Sequence, residues 1–517
     1  MRKEAFRVLG GRFADRGRNP PSRLRSSAAK RGSLPLLVMS ASVVFLIVLA
    51  GGAGALTRTG MASSTTTASY AIPQPLSSSN GYSTAPQAGC DYTIAQQGTT
   101  LVAAGSSNTE TRTSANPDVG AFLNSLLAPH KTFCIAAGVY TLDSEIQVSH
   151  LDGVTLSLAP GAVMKATSAS RLLLIFASPG TTVRGGEWVG PARGQGAGIR
   201  ILDGSNNTII EGADISKAGW DGIFVYEYIR PNINVSLLDN RVHDNGRYGV
   251  QVFSRVQFGI TGTLISGNVA VDNGVGGFYT NGVAGVTIIQ NVARNSVGNG
   301  PGAIGIGVTN AHDDVVTLNQ VDHMAWFGIQ AFYNNYTVIT NNISTFNAGA
   351  WDQSGITNDH SSFSTIRGNV VESNGKFGVY VERSWNVTVS ENLANDNHGF
   401  GIGFYHGTLP TMGRGLILGN VCSFNGLGGI VLNSAVDNVI SMNRCSDNSG
   451  DGVLLYNDPG QAGSTRNLVS NNWLGNIGNS PGVQMFGIRE ANDSNSNVLT
   501  SNVMVNNTVA ETSILGP

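Results

Sequence analysis

Residues 369–397 read NVVESNGKFGVYVERSWNVTVSENLANDN, and this stretch decides the fold. It holds two copies of N-x-x-x-x-N, Asn369 with Asn374 and Asn392 with Asn397, separated by a glycine-led run, GVYVE, that starts at Gly378. Apolar side chains recur at every second position of that run, the period of a strand rather than a helix. The six-residue half returns as NRVHDN (240–245), NVAVDN (268–273), NVCSFN (420–425) and NRCSDN (443–448), and the other half as GIFVY, GVQVF, GIQAF, GIVLN and GVLLY. The first Asn of each unit falls at 240, 268, 291, 319, 342, 369, 392, 420, 443, 472 and 502, with spacings alternating near 28 and 23.

Units this short hold two or three β-branched strands and leave no room for a crossover helix. Such a chain pairs its strands in parallel only by coiling, each turn stacked on the last at about 4.8 Å. The sequence therefore predicts an all-β parallel β-helix. Equivalent Asn side chains in successive coils then stack as hydrogen-bonded ladders, which makes the recurrent Asn structural. Sequons at Asn206, Asn234, Asn335, Asn342, Asn386, Asn492 and Asn506 arise from Asn-rich turns and carry little information on glycosylation.

The composition agrees with a fold built on turns, with 67 glycines and only 12% charged residues. Charge is unevenly placed: residues 1–31 carry ten Lys/Arg against Glu4 and Asp15, a balance of +8 that leaves −10 for the rest. This basic cytoplasmic arm (1–33) runs into LPLLVMSASVVFLIVLAGGAGAL (34–56), an uncharged segment long enough to span a bilayer as a helix. Two readings of 34–56 stand side by side, a transmembrane anchor and a cleaved secretory signal, the second favoured by the small residues at 53–55. Both export the chain beyond Leu56, giving a membrane-attached extracytoplasmic domain or a secreted one. Residues 57–88, rich in Ser, Thr, Pro and Ala, read as a flexible linker. All four cysteines lie beyond it, where disulfides persist. Cys90 and Cys134 are expected to pair. Cys422 and Cys445 share one inward column of adjacent coils and are read either as a disulfide or as two buried thiols.

Counting from the glycine of each run, positions one and three are apolar and point inward, so positions two and four point outward. Position four reads Tyr226, Phe253, Asn281, Thr309, Phe332, Asp359, Glu382, Tyr405, Asn433 and Tyr456, coil by coil. Position five places His360, Arg383 and His406 beside the three central members. The pairs Asp359–His360, Glu382–Arg383 and Tyr405–His406 thus form a small outward grid at steps of 23 residues. Carboxyls stacked at strand spacing raise one another's pKa, and Arg383 opposes this. Tyr226, Phe253, Tyr279, Phe332, Tyr333 and Tyr380 are the aromatic candidates for stacking sugars on the same face. A solvated polar surface around a neutral Glu382–Arg383 pair is the competing structural reading.

The coils resemble the right-handed parallel β-helix repeats of the pectin-lyase-like superfamily, over roughly residues 135–510. That superfamily includes polysaccharide lyases, glycoside hydrolases, alginate C5-epimerases and periplasmic carbohydrate-binding and sugar-hydrolase domains. NPDVGAFLNSLLAPHKTFCIAAGVYTL (116–142) resembles the way such domains begin, with a short amphipathic helix that caps the open coil. The resemblance implies a cap over 89–134 and a right-handed, single-stranded β-helix over 135–517. Alginate C5-epimerases carry Asp-Pro-His-Asp on the active coil and a basic residue on a neighbouring one. Here NDHS offers Asp359 and His360 and VERS offers Arg383, without the Pro or the second Asp.

The expectation is an exported protein acting on an acidic polysaccharide by C5 proton abstraction, as a lyase or an epimerase. His360 or His406 serves as base, Arg383 neutralises the uronate and Tyr405 is the acid. Two alternatives remain: glycoside hydrolysis by Asp359 and Glu382, and a non-catalytic glycan-binding adhesin. The partners read from the sequence are a polysaccharide and, through 34–56, a membrane, for a monomeric chain without a cofactor. AHDDV (His312, Asp313, Asp314) and VDHM (Asp322, His323) lack metal-ligand spacing and read as turns. No phosphate loop, nucleotide fingerprint, nucleophile elbow or nucleic-acid-binding basic stripe occurs in the exported part.

Overall fold

The structure, a computed structural model, describes residues 89–107, 110–167, 171–191, 196–296, 302–348, 353–405, 413–477 and 483–514. The basic arm, the apolar segment 34–56 and the linker 57–88 lie outside these residues. Among the described residues no helix is long and apolar enough to cross a membrane.

Each coil visits three parallel sheets. In the coil of the opening stretch the strands are Thr365–Arg367, Val370–Glu372 and Phe377–Glu382. The third sheet is the one that matters for function; it runs through 15 strands, from Ile146–Ser149 to Ala510–Ile514. Its register is that of the sequence repeat: Val379 faces Ile356 on one side and Ile402 on the other. Positions one and three (Ile223, Val225, Val250, Val252, Val379, Val381, Ile430, Leu432) are sealed from solvent. Stacked one per coil, they form a continuous apolar rod, each side chain contributing about 1.5–3 kcal/mol by burial.

The corners are set by left-handed residues. Leu318, Asn341, Gly368 and Glu391 have φ of 56°, 55°, 65° and 55°, and each directly precedes a repeat Asn. For a non-glycine residue that conformation costs about 1–2 kcal/mol. The following amide offsets it. Asn369 accepts on Oδ1 from the Asn342 backbone N–H at 2.9 Å, and its Nδ2 donates to the Ile339 carbonyl at 3.0 Å and to Asn392 Oδ1 at 2.9 Å. The same Nδ2-to-Oδ1 bond links every step from Asn240 to Asn502. A second ladder joins Asn347, Asn374, Asn397, Asn425 and Asn448 at the next corner. The repeat Asn are structural, as read.

At the N-terminal end the helix Val119–Leu126 buries Val119, Phe122, Leu123 and Leu126 in the main core, and Asp118 caps it by accepting from Gly120 N–H at 3.1 Å. An antiparallel meander of Tyr92–Gln97, Thr100–Gly105 and Thr111–Ser114 accompanies it, and Tyr92–Gln97 also pairs in parallel with Thr132–Ile135. The meander shields the open coil edge. Cys90 and Cys134 form a disulfide with α-carbons 5.8 Å apart, as expected. Cys422 lies directly opposite Cys445, both buried and both free thiols, so of the two readings the reduced one holds.

One expectation from alternation fails. Outward position two is not solvated: Gln251, Gln330, Thr357, Val431 and Leu454 are all buried. The reason is a second apolar cluster on the outside of the third sheet, made by Phe377, Phe400, Val431 and Leu454 with Tyr380, Tyr405 and Tyr456 against it.

Candidate active site on the third sheet

The position-four column is continuous in register: Phe332 pairs with Asp359, Asp359 with Glu382 and Glu382 with Tyr405. Position five obeys a different rule from the rest of the strand. Tyr333, His360 and Arg383 have φ of 55°, 49° and 47°. Strict alternation aims a fifth residue at the core; the left-handed corner swings it out instead, beside its position-four neighbour. The grid read from the sequence is therefore present for Asp359, His360, Glu382, Arg383 and Tyr405. His406 lies outside the described residues.

His360 Nδ1 stands 2.7 Å from Asp359 Oδ1, yet both atoms are buried and neither completes a hydrogen bond in line. One coil on, Arg383 Nη2 lies 3.0 Å from Glu382 Oε1. Burial pushes Asp359 up to about 6, with Arg383 opposing. Burial, and then repulsion from Arg383, lowers His360, while Glu382 pulls it back up. Glu382 is raised by burial and by Asp359. The cluster thus holds a neutral imidazole at neutral pH beside a guanidinium, with two carboxyls that retain protons more readily than ordinary ones.

Aromatic rings enclose the imidazole. Tyr333 lies 4.6 Å from it and Phe332 meets it edge-on at 5.9 Å. On the other side Tyr380 and Tyr405 pack at 5.3 Å, with Phe377 5.5 Å from Tyr405. Of the six proposed sugar platforms only Tyr333 is freely exposed. Tyr226 and Phe253 stack on one another at 5.7 Å and Tyr279 stacks on Tyr248 at 4.9 Å, all in coils N-terminal to His360. Two features escape the sequence reading. Ser361 and Ser384 continue the corner ladder under the site, where Asn334 N–H donates to Ser361 Oγ at 2.9 Å and Ser361 N–H to Ser384 Oγ at 3.0 Å. Tyr336, Phe363 and Trp385 form an exposed aromatic row just beyond, with centroids 5.0 Å apart at each step. Neither repeats at constant spacing, so periodicity does not reveal them.

The remaining titratable motifs are paired locally. His312 contacts Asp313 at 2.7 Å, and Asp322 holds Arg294 at 2.8 Å and His323 at 2.8 Å. His243 bridges Asp214 and Asp244 at 2.8 Å and 2.6 Å.

Comparison with known proteins places these features in a family of folds. The model of the right-handed β-helix region matches residues 180–293 and 234–393, and that of a periplasmic copper-binding protein family matches 352–512. No curated protein matches the sequence. Among solved structures, the Dettilon tailspike protein is similar at 15% identity and TM-score 0.42, over 63% of this chain and 62% of its own. An A-module of mannuronan C-5 epimerase from Azotobacter vinelandii is similar at 17% identity and TM-score 0.40, over 75% and 93%. A surface adhesin of Streptococcus pneumoniae is similar at 13% identity and TM-score 0.40, over 68% and 89%. The chain spans less than two thirds of the tailspike's length. The protein is a right-handed parallel β-helix of the pectin-lyase-like kind.

Copper, which the second family description names, does not fit the residues described. A copper site needs converging imidazole or sulfur ligands. Among the described residues no three His, Cys, Asp or Glu side chains converge, and Cys422 and Cys445 are sealed in the core.

Proposed function

We propose that the Asp359–His360 and Glu382–Arg383 pairs act on an acidic polysaccharide outside the cytoplasm, removing the C5 proton of a uronate residue. The observation that carries this reading is the neutral His360 imidazole held beside the Arg383 guanidinium on the next coil. Arg383 pairs with the sugar carboxylate and stabilises the charge that develops there as the C5–H bond breaks. His360 takes the proton as general base. In a lyase the electron pair forms the C4–C5 double bond, the C4–O4 bond breaks, and Tyr405 protonates the leaving oxygen. In an epimerase Tyr405 returns a proton to C5 from the opposite face. Glu382 competes with substrate for Arg383 and so sets how readily the guanidinium is released.

The extracytoplasmic setting is supported by the Cys90–Cys134 disulfide and by the basic arm and apolar segment in the sequence. A second reading has its own observation: Asp359 and Glu382 pair directly and both carboxyls are raised, the arrangement a glycoside hydrolase uses to keep one acid protonated. Incubation with polyuronates separates the outcomes. New ultraviolet absorbance marks a lyase, C5 inversion by NMR an epimerase and saturated reducing ends a hydrolase. Binding without any product leaves an adhesin, and His360→Ala abolishing double-bond formation or inversion completes the case for proton abstraction.

A further inference from the structure

We propose that a cleft two coils N-terminal to His360 is a flanking subsite for a pyranose residue of the same glycan chain, read through its hydroxyls and ring face rather than through a carboxylate. The proposal rests on the polysaccharide reading above for its occupant, but not on any particular bond being broken.

The cleft has a volume of about 450 Å³, within the range of small-molecule sites. Phe258, Tyr333 and Tyr336 supply its aromatic surfaces, while Asn310, Asn335 and the His312–Asp313 pair supply its polar ones. Phe258 packs edge-on to the His312 ring at 4.2 Å, which closes the N-terminal end and holds the imidazole in place. Flat rings beside amides and a carboxylate are what a pyranose needs: apolar C–H faces stack on the rings, and vicinal hydroxyls pair with groups that donate and accept together. Neither Lys nor Arg lines it, so nothing there selects a uronate.

The cleft is continuous with the active cluster. Tyr333 lines the cleft and also touches the His360 ring. Asn310, Tyr333, His360 and Arg383 occupy one left-handed corner column, with φ of 48°, 55°, 49° and 47°. Asn310 and His360 are two coil steps apart, about 10 Å at strand spacing. Parallel to that column runs the row Tyr336, Phe363 and Trp385, which are 55%, 40% and 40% exposed. Between the two lie Ala311, Asn334, Ser361 and Ser384, small or fully satisfied residues buried in the ladder. The result is a shallow channel along the coil axis with a catalytic wall, an aromatic wall and a closed N-terminal end. A glycan lying in it places one residue at His360 and Arg383 and another, one or two residues along, in the cleft.

The test is binding by the full chain, measured calorimetrically with uronate dimers and hexamers and with neutral hexose hexamers. Tyr336→Ala is expected to weaken hexamer binding roughly tenfold, the loss of one stacking platform, and to weaken dimer binding by less than twofold. Tyr336→Trp should restore the hexamer affinity, and Met442→Ala, exposed at a different corner, should change nothing. His360→Ala should keep the hexamer affinity while losing turnover. If neutral hexamers bind and still depend on Tyr336, the subsite stands and the uronate reading falls. Equal losses for dimer and hexamer, or hexamer binding indifferent to Tyr336, overturn the subsite.

Discussion

Asp314 accepts the Val286 backbone N–H on Oδ1 at 2.9 Å, while its Oδ2 is buried with no partner. It occupies the column that Asn438, Asn467 and Asn497 fill further along, where an amide completes the ladder. Burial and the neighbouring Asp313 push Asp314 up to about 7. A carboxyl raised from 3.8 in the folded state lends its full stability below pH 3.8 and loses it as pH climbs towards and past 7. Asp314→Asn is therefore expected to stabilise the protein at pH 8 by about 1–3 kcal/mol, the cost of an unpaired buried polar atom. Thermal unfolding at pH 5 and pH 8 checks it: the gap between variant and parent should widen with pH.

The Asn ladder makes a complementary prediction. Replacing Asn369 by Ala strands the Asn342 N–H and the Ile339 carbonyl, both of which it satisfies. Two such groups cost about 2–5 kcal/mol together. Denaturant unfolding of Asn369→Ala should show a loss of that size, whereas Glu391→Ala, on the surface one residue before Asn392, should lose less.

Electrostatics of the candidate site are testable without substrate. Arg383 depresses the His360 pKa and Glu382 raises it. Arg383→Gln should move the His360 titration to higher pH, and Glu382→Gln should move it lower. Histidine-selective NMR titration reads both. Shifts of the same sign in the two variants would contradict the arrangement.

The cysteines give a mass-spectrometric prediction. The native protein should carry one disulfide, Cys90–Cys134, and two thiols that alkylate only after denaturation. Reduction should loosen the cap first; closing a loop of this length contributes roughly 4 kcal/mol in the chain-entropy account.

The coil register was fully legible in the sequence because side-chain period and coil length are both fixed by hydrogen bonding. The Asp359–Glu382–Tyr405 column came from steps of 23 residues, and the Cys422–Cys445 pairing from the same spacing. Corners were less legible. Alternation gives no warning that His360 and Arg383 adopt positive φ, because residue type at those positions varies from Asn310 to Tyr333 to Ser434. The aromatic row was hidden for a related reason: Tyr336, Phe363 and Trp385 are 27 and 22 residues apart, out of step with one another although their rings touch. The apolar cover around Phe377 and Phe400 was missed because alternation assigns a face and not the packing upon it.

Since each ladder Asn is completed by the coil after it, the molecule's length is counted rather than measured. Removing one whole coil, from Asn369 to the residue before Asn392, brings Asn342 against Asn392 with the same amide-to-amide contact it had before. Removing a single residue from within a coil leaves every later amide facing the wrong neighbour. Such a chain changes size by whole turns, and a groove along its axis lengthens or shortens by one sugar-sized step at a time.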